Sequence, residues 1–180
     1  MAQISIRKEL NGFFAEMKFV FPLFIFVQLA ITTFAQQTEP LYKRFPTLPP
    51  LKLLLTDSIT QFTEKELKKD LPVFVILFSP DCDHCKKGTE ELIANIDQFK
   101  NIQIVMTTIQ PFEKMKEFYN NYKLERFKNI TVGRDQFYLL PTFYRIKNMP
   151  FLAFYNKKGD LINIAEGALP VSKVLEFFKE

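Results

Sequence analysis

The segment from residue 72 to residue 99 constrains the fold more than any other part of the chain. Its first seven residues, "PVFVILF" (72–78), are apolar and rich in β-branched side chains, as expected of a strand buried on both faces. Residues 83–99 follow with a helical repeat of apolar side chains, namely Leu92, Ile93, Ile96 and Phe99. Cys82 and Cys85, the two cysteines of the chain, lie at the junction. The pattern therefore predicts a buried strand that leads into a helix carrying both thiols in its first turn.

The flanking sequence predicts a mixed α/β arrangement. The remaining predicted strands are 51–55, 102–108, 151–156 and 161–167, and the remaining predicted helices are 63–70, one that begins at Pro111, one around Leu139–Arg145 and one that begins at Pro170. The stretch 127–149 is otherwise irregular. The first half reads strand, helix, strand, which predicts a parallel pair with a right-handed crossover. The second half is antiparallel, so we expect a mixed central sheet flanked by helices.

The cysteine pair has a chemical interpretation that follows from its position. At a helix N-terminus, unpaired N–H groups and the helix dipole favour a thiolate on Cys82. Cys85 lies one turn further and is more shielded, which makes Cys82 the predicted nucleophile and Cys85 the predicted resolving thiol. His84, the single histidine of the chain, can stabilise the thiolate as an imidazolium. Asp81 and Asp83 act in the opposite sense, because a neighbouring carboxylate disfavours a second anion.

Two other functions of the pair stay open. Structural zinc usually needs four ligands, and this segment offers two thiols and one adjacent histidine, so we expect no bound metal. Thiol chemistry at the cysteine pair needs no organic cofactor, and we expect none. A copper chaperone of the cell envelope would bind its cargo through soft thiolates, although related folds add a distant histidine that this chain lacks. A redox-inert interaction module is the remaining alternative. Metal retention by the reduced protein would indicate the copper chaperone, and turnover of a disulfide substrate would indicate thiol–disulfide exchange. A folded protein that does neither would be the inert module.

The N-terminal residues predict export. "FVFPLFIFVQLAITTFA" (19–35) carries no charge, follows Lys18 and precedes a polar stretch, as in a secretory signal peptide. We therefore assign 1–35 as a signal peptide, with Met17 as an alternative start of translation, 36–50 as a proline-rich linker, and 51–180 as the folded domain. The predicted location is the periplasm or cell envelope of a bacterium. Contact with the membrane is expected only through the leader, if it stays uncleaved.

Charge gives little support for nucleic-acid binding. The 24 basic and 20 acidic residues give a net charge of +4 and are spread along the chain, with no arginine-rich run. We expect a monomer whose surface carries mixed, solvated charge.

The segments "VFVILFSPDCDHCKKGTEEL" and "TFYRIKNMPFLAFYNKKGDLINIAEG" resemble the active-site and cis-proline segments of bacterial thioredoxin-like thiol–disulfide oxidoreductases of the TlpA/ResA type. The resemblance covers about residues 50–180 and implies a thioredoxin fold. It implies Cys82 as the nucleophile, Cys85 as the resolving thiol, Pro150 as the cis-proline, and Met149 as a backbone contact for substrate. It also implies protein disulfides or dithiols as substrates and an electron donor in the envelope.

The sequence departs from the family at the positions that would handle protons. Thioredoxin has an aromatic residue where this chain has Asp81, and a buried acid where it has Ile76. Several family members carry a glutamate where this chain has Gly88. Glu90 or Glu91 is an alternative proton acceptor, although solvated helix residues are the favoured interpretation of both. The general base therefore stays unassigned at this point.

Overall fold

The computed structural model describes residues 39–179 of the chain. The predicted signal peptide at 1–35, the alternative start at Met17 and the first residues of the predicted linker lie outside this range.

The elements follow the predicted alternation of strands and helices. The strands are β1 (Leu53–Leu55), β2 (Gln61–Phe62), β3 (Val73–Leu77), β4 (Gln103–Thr108), β5 (Ile130–Asp135), β6 (Phe151–Tyr155) and β7 (Leu161–Glu166). The helices are α1 (Leu41–Arg44), α2 (Asp83–Ala94), α3 (Phe112–Asn121), α4 (Leu139–Tyr144) and α5 (Val171–Glu176). Single 3₁₀ turns cover Glu64–Glu66, Ile96–Phe99 and Leu124–Arg126.

The strands form one mixed sheet with β3 near its centre. Within residues 39–179 the order is β2-β1-β5-β4-β3-β6-β7. Strands β3, β4 and β5 are parallel, while the pairs β3–β6, β6–β7, β1–β5 and β1–β2 are antiparallel. Because parallel strands end at the same edge, the residues that follow β3, β4 and β5 share one side of the molecule.

Helices cover both faces of the sheet, and alternating strand residues supply the two apolar layers. On one face, Phe74 and Phe78 pack with side chains of α2, α3 and α5, and the Phe78 and Phe118 rings lie 4.6 Å apart between centroids. On the other face, Val75 and Leu77 pack with side chains of α4 and, at the margin, of α1. The predicted mixed sheet flanked by helices is therefore present.

Strand β5 is the longest strand that the sequence did not predict; the short elements α1 and β2 were not predicted either. Residues 127–149 were expected to be irregular apart from one helix, yet Ile130–Asp135 lies inside the sheet between β4 and β1. Gly133 allows the close approach, because a Cβ there would lie 2.7 Å from the Leu53 Cβ. A glycine followed by an arginine and an aspartate weakens the apolar pattern that marks a buried strand, which is why this strand was missed.

The predicted helix at 63–70 is shorter than expected. Its capping box is present, since the Thr63 amide donates to the Glu66 carboxylate at 2.7 Å and the Thr63 hydroxyl accepts from the first turn. The turn nevertheless ends at Leu67. The Gln103 side chain bonds both the amide and the carbonyl of Lys68, at 2.6 and 2.9 Å, and so takes the groups that a longer helix would use.

The described part of the predicted linker lies against the hairpin of β6 and β7. After α1, the Leu48 amide donates to the Gly159 carbonyl and the Leu161 amide donates to the Pro46 carbonyl, each at 2.8 Å. Thr47 forms a β-bridge with Asp160. These bonds fix residues 46–48 along the hairpin. In the part of the chain that the structure describes, no helix is both long and apolar enough to cross a bilayer.

Candidate active site

Cys82 lies at the edge of the sheet where β3 ends and α2 begins. It is the N-cap of α2, with extended backbone, and its Sγ accepts a hydrogen bond from the Cys85 amide at 3.3 Å. The sulfur therefore takes the place that a serine or aspartate oxygen occupies at many helix N-termini. The Cys85 N–H group directed at the sulfur and the positive end of the helix dipole both favour negative charge there.

Cys85 is buried, whereas Cys82 is half-buried. Cys85 is 2% exposed and packs within the apolar layer that covers β3. Burial, reinforced by a hydrogen bond with Cys82, raises the pKa of the Cys85 thiol to about 12. Both cysteines are free thiols in this structure. The arrangement separates one accessible sulfur from one sheltered, protonated sulfur.

The loop before β6 brings Met149 and Pro150 to the cysteines. The Met149–Pro150 peptide bond is cis. The Met149 carbonyl oxygen lies 3.8 Å from the Cys82 Sγ, although 67 residues separate the two in sequence. Pro150 is buried, and its carbonyl accepts a hydrogen bond from the Gly167 amide at 2.8 Å. Because proline has no N–H, the loop presents no donor at that position to compete for the sulfur.

His84 forms no hydrogen bond with either thiol. It lies in the first turn of α2 and is exposed, and within residues 39–179 its ring has no hydrogen-bond partner. The structure therefore places His84 beside the thiols in sequence without giving it a direct contact to either one.

Two lysines offset the carboxylates that flank Cys82. Lys114 of α3 pairs with Asp81, and Lys86 pairs with Asp83 at 3.1 Å. Sequence analysis missed both pairs. The spacing of Asp83 and Lys86, three residues apart on a helix, could have indicated the second pair. Nothing in the sequence could have indicated the first, because it joins the turn before α2 to α3, 33 residues away. Both pairs are exposed, so each contributes little stability.

A small apolar cavity of about 40 Å³ lies beside Cys85. The cavity is lined by Ile76 and Gly88, the two positions at which thioredoxin or some thioredoxin-like proteins carry an acidic residue. Glu90 and Glu91 do not line it. Glu90 is exposed and its carboxylate lies 3.5 Å from the Tyr122 hydroxyl. The structure thus agrees with the interpretation of Glu90 as a solvated helix residue, while Glu91 is half-buried.

Comparisons with known proteins identify the fold. No protein-family model and no curated protein matches the chain. Solved structures do match: StoA from Bacillus subtilis is 15% identical with a TM-score of 0.58, covering 73% of this chain and 98% of its own. A secreted disulfide oxidoreductase of Mycobacterium tuberculosis is 17% identical with a TM-score of 0.58, covering 72% and 92%. The exposed lipoprotein thioredoxin of Streptococcus pneumoniae is 19% identical with a TM-score of 0.54, covering 71% and 98%.

The chain has the thioredoxin fold. The matches bear out the predicted fold class and the predicted likeness to thioredoxin-like proteins. At 13–19% identity they establish the fold alone, so the chemistry has to be argued from the residues of this chain. Within residues 39–179, no group of three histidine, cysteine or acidic side chains is placed to hold a metal ion.

Proposed function

We propose that the protein is a thiol–disulfide oxidoreductase that uses Cys82 and Cys85. The observation that carries the proposal is the half-exposed Cys82 sulfur at the N-terminus of α2, between the Cys85 amide and the Met149 carbonyl. The helix favours the thiolate, which is the attacking form in disulfide exchange. Other oxidoreductases share this fold, which is compatible with the proposed activity but does not by itself indicate it.

The reaction proceeds by two exchanges of sulfur. The Cys82 thiolate attacks one sulfur of a substrate disulfide, and the other substrate sulfur leaves as a thiolate and takes up a proton. Cys85 then loses its proton and attacks the Cys82 sulfur of the mixed disulfide. The bond between Cys82 and the substrate breaks, the substrate leaves fully reduced, and the protein holds a disulfide between Cys82 and Cys85. The same two steps in reverse order, starting from the disulfide form of the protein, would oxidise a substrate dithiol.

Met149 and Pro150 would position the substrate. Met149 offers a backbone carbonyl next to the reacting sulfur, where an extended peptide can form a main-chain hydrogen bond. His84 lies on the solvent side of the pair, where an imidazolium would favour the thiolate through space. The proposed partners are protein disulfides or dithiols and a separate electron donor.

We also propose that the protein works outside the cytoplasm, in the bacterial periplasm or cell envelope. The uncharged segment at 19–35 supports this, and two of the solved structures are described as secreted and as an exposed lipoprotein. Mass spectrometry of the protein isolated from its native host is expected to show a mature chain that begins near Gln36. Recovery of the full-length chain in the cytoplasmic fraction would contradict export.

Trapping of mixed disulfides tests the oxidoreductase function. With Cys85→Ser the second exchange cannot occur, so we expect covalent adducts with envelope proteins that disappear on reduction. Cys82→Ser should give few adducts, because the remaining thiol is 2% exposed and its pKa is raised to about 12. The double variant is the matched control for background reaction.

Other outcomes would favour the alternatives. Equal trapping by both single variants would remove the assignment of roles. A folded wild-type protein that neither traps nor turns over a disulfide substrate would indicate a redox-inert interaction module. Stoichiometric retention of Cu(I) by the reduced protein, lost in Cys82→Ser, would indicate a copper chaperone.

A further inference from the structure

The cavity beside Cys85 has a composition that bears on the second exchange. Its walls come from β3, α2, the 3₁₀ turn Ile96–Phe99, β6, α5 and the residues next to these elements. Apart from the Cys85 thiol and the Thr89 hydroxyl, no wall residue has a polar side-chain atom. Thr89 is the one wall residue with a side-chain oxygen, and its hydroxyl already donates to the Cys85 carbonyl at 2.9 Å. A hydroxyl in that position cannot serve as a base for the thiol.

No charged side chain of residues 39–179 lines the cavity beside Cys85. Among residues 39–179, the titratable group that acts on Cys85 is the Cys82 thiol. Once Cys82 is joined to a substrate, that sulfur is the atom under attack and cannot accept the proton. The nearby carboxylates Asp81 and Asp83 are exposed and paired with lysines.

The surface of α2 beside this cavity is open at Gly88. A Cβ added to Gly88 would find no atom within 4 Å, so the helix surface is open there. Gly88 lies three residues after Cys85, and residues at this spacing are neighbours on a helix surface. A base from solution can therefore approach the thiol over Gly88.

We propose, taking the proposed oxidoreductase function as given, that no side chain of residues 39–179 accepts the Cys85 proton and that the second exchange depends on hydroxide or another base from solution. Hydroxide takes the Cys85 proton and forms water. The thiolate attacks the Cys82 sulfur, the bond from Cys82 to the substrate breaks, and the substrate sulfur leaves with the electron pair. The second exchange limits turnover at neutral pH, and the mixed disulfide is the form that accumulates.

A single-turnover measurement separates the two exchanges. The fully reduced protein is mixed with one equivalent of dithiobis-nitrobenzoate, whose thiolate product is coloured. Attack by Cys82 releases the first equivalent of product, and attack by Cys85 releases the second. We expect the second phase to be slow and to accelerate by about tenfold for each pH unit between about pH 6 and 9, since the thiolate fraction grows at that rate below the pKa of the thiol.

Substitution at the open position provides the matched comparison. Gly88→Glu places a carboxylate over Cys85 and should accelerate the second phase at neutral pH by about 10- to 100-fold, at or below the usual range for an evolved general base. Gly88→Gln has the same size without the base, so it should not accelerate this phase and should slow it to the extent that its side chain covers the approach to the thiol. Circular dichroism and an unchanged first phase show that each variant is folded.

The outcomes separate this proposal from the function on which it rests. A second phase that is fast and independent of pH in the wild type, or equal acceleration by Gly88→Gln and Gly88→Glu, would overturn the proposal and leave the oxidoreductase function intact. Absence of a second equivalent at every pH, with no disulfide between Cys82 and Cys85 in the product, would overturn both.

Discussion

At the scale of single residues, two buried tyrosines form a polar pair inside the core. Tyr144 and Tyr155 are 2% and 0% exposed, and their hydroxyl groups hydrogen-bond to each other inside the apolar layer opposite α2. The bond joins α4 to β6, the two elements that flank the Met149–Pro150 loop. A buried hydroxyl without a partner costs much more than a hydroxyl that is absent.

This pairing predicts a non-additive pair of substitutions. Tyr144→Phe and Tyr155→Phe each remove one hydroxyl and leave the other buried without a partner, so each should lower the free energy of unfolding by about 1–3 kcal/mol. The double variant has no unpaired hydroxyl and should lose less than the sum of the two. Denaturant unfolding of the four proteins completes the cycle. Strict additivity would show that the two hydroxyls are satisfied independently.

At the scale of elements, local sequence signals predicted the strand that leads to the cysteines and two of the helices that pack on it. The run at 72–78 corresponds to β3, the residues after Pro111 form α3, and those after Pro170 form α5. These elements have signals within a few residues: a continuous apolar run, or a proline that fixes the first turn. The capping box at Thr63 was also identified, but the length of its helix was not, because a distant side chain, that of Gln103, ends it.

Strand β5 and the start of α4 depend on contacts that no local pattern reveals. Asp135, 1% exposed, ends β5 and accepts hydrogen bonds from the amides of Phe137, Leu139 and Leu140 at 2.9–3.2 Å. A buried aspartate there looks like a loop residue in the sequence, although it fixes where the strand ends and the helix begins. Burial against β1 and β4 outweighs the weak strand propensity of the segment.

The candidate site divides in the same way. The thiol positions followed from the strand–helix junction, which is local. The approach of Met149 and Pro150 to Cys82 was expected only from the resemblance to a known family, because the residues themselves carry no signal of a contact across 67 positions. The pairing of Asp81 with Lys114 has the same long-range character and was not foreseen.

At the scale of the whole molecule, the buried hydroxyls and thiol make folding sensitive to alkaline pH. Burial, together with the neighbouring Tyr155, raises the pKa of Tyr144 well above its usual value, and burial raises the pKa of Tyr155. Burial likewise raises the pKa of Cys85 from about 9 to about 12. Each group keeps its proton in the folded protein at a pH where the unfolded chain has lost it.

The sign of the effect follows from the proton count. Above about pH 9 for the thiol and about pH 10 for the tyrosines, the unfolded chain binds fewer protons than the folded protein, so the free energy of unfolding falls as pH rises. Each group contributes a slope of up to about 1.4 kcal/mol per pH unit between its unfolded and folded pKa. Below about pH 8 these groups are protonated in both states and should contribute no pH dependence.

Guanidinium unfolding of the fully reduced protein between about pH 8 and 11 measures this slope. The double variant Tyr144→Phe/Tyr155→Phe keeps Cys85 and the surface lysines, so the difference from the wild type isolates the two hydroxyls. We expect the wild type to lose stability more steeply above about pH 10, by up to about 2.7 kcal/mol per pH unit relative to the double variant. Equal slopes would mean that the hydroxyls ionise as readily in the folded protein as in the unfolded chain. In that case the layer between α4 and β6 would have to admit water, and its hydroxyl pair could not act as a closed link beside the Met149–Pro150 loop.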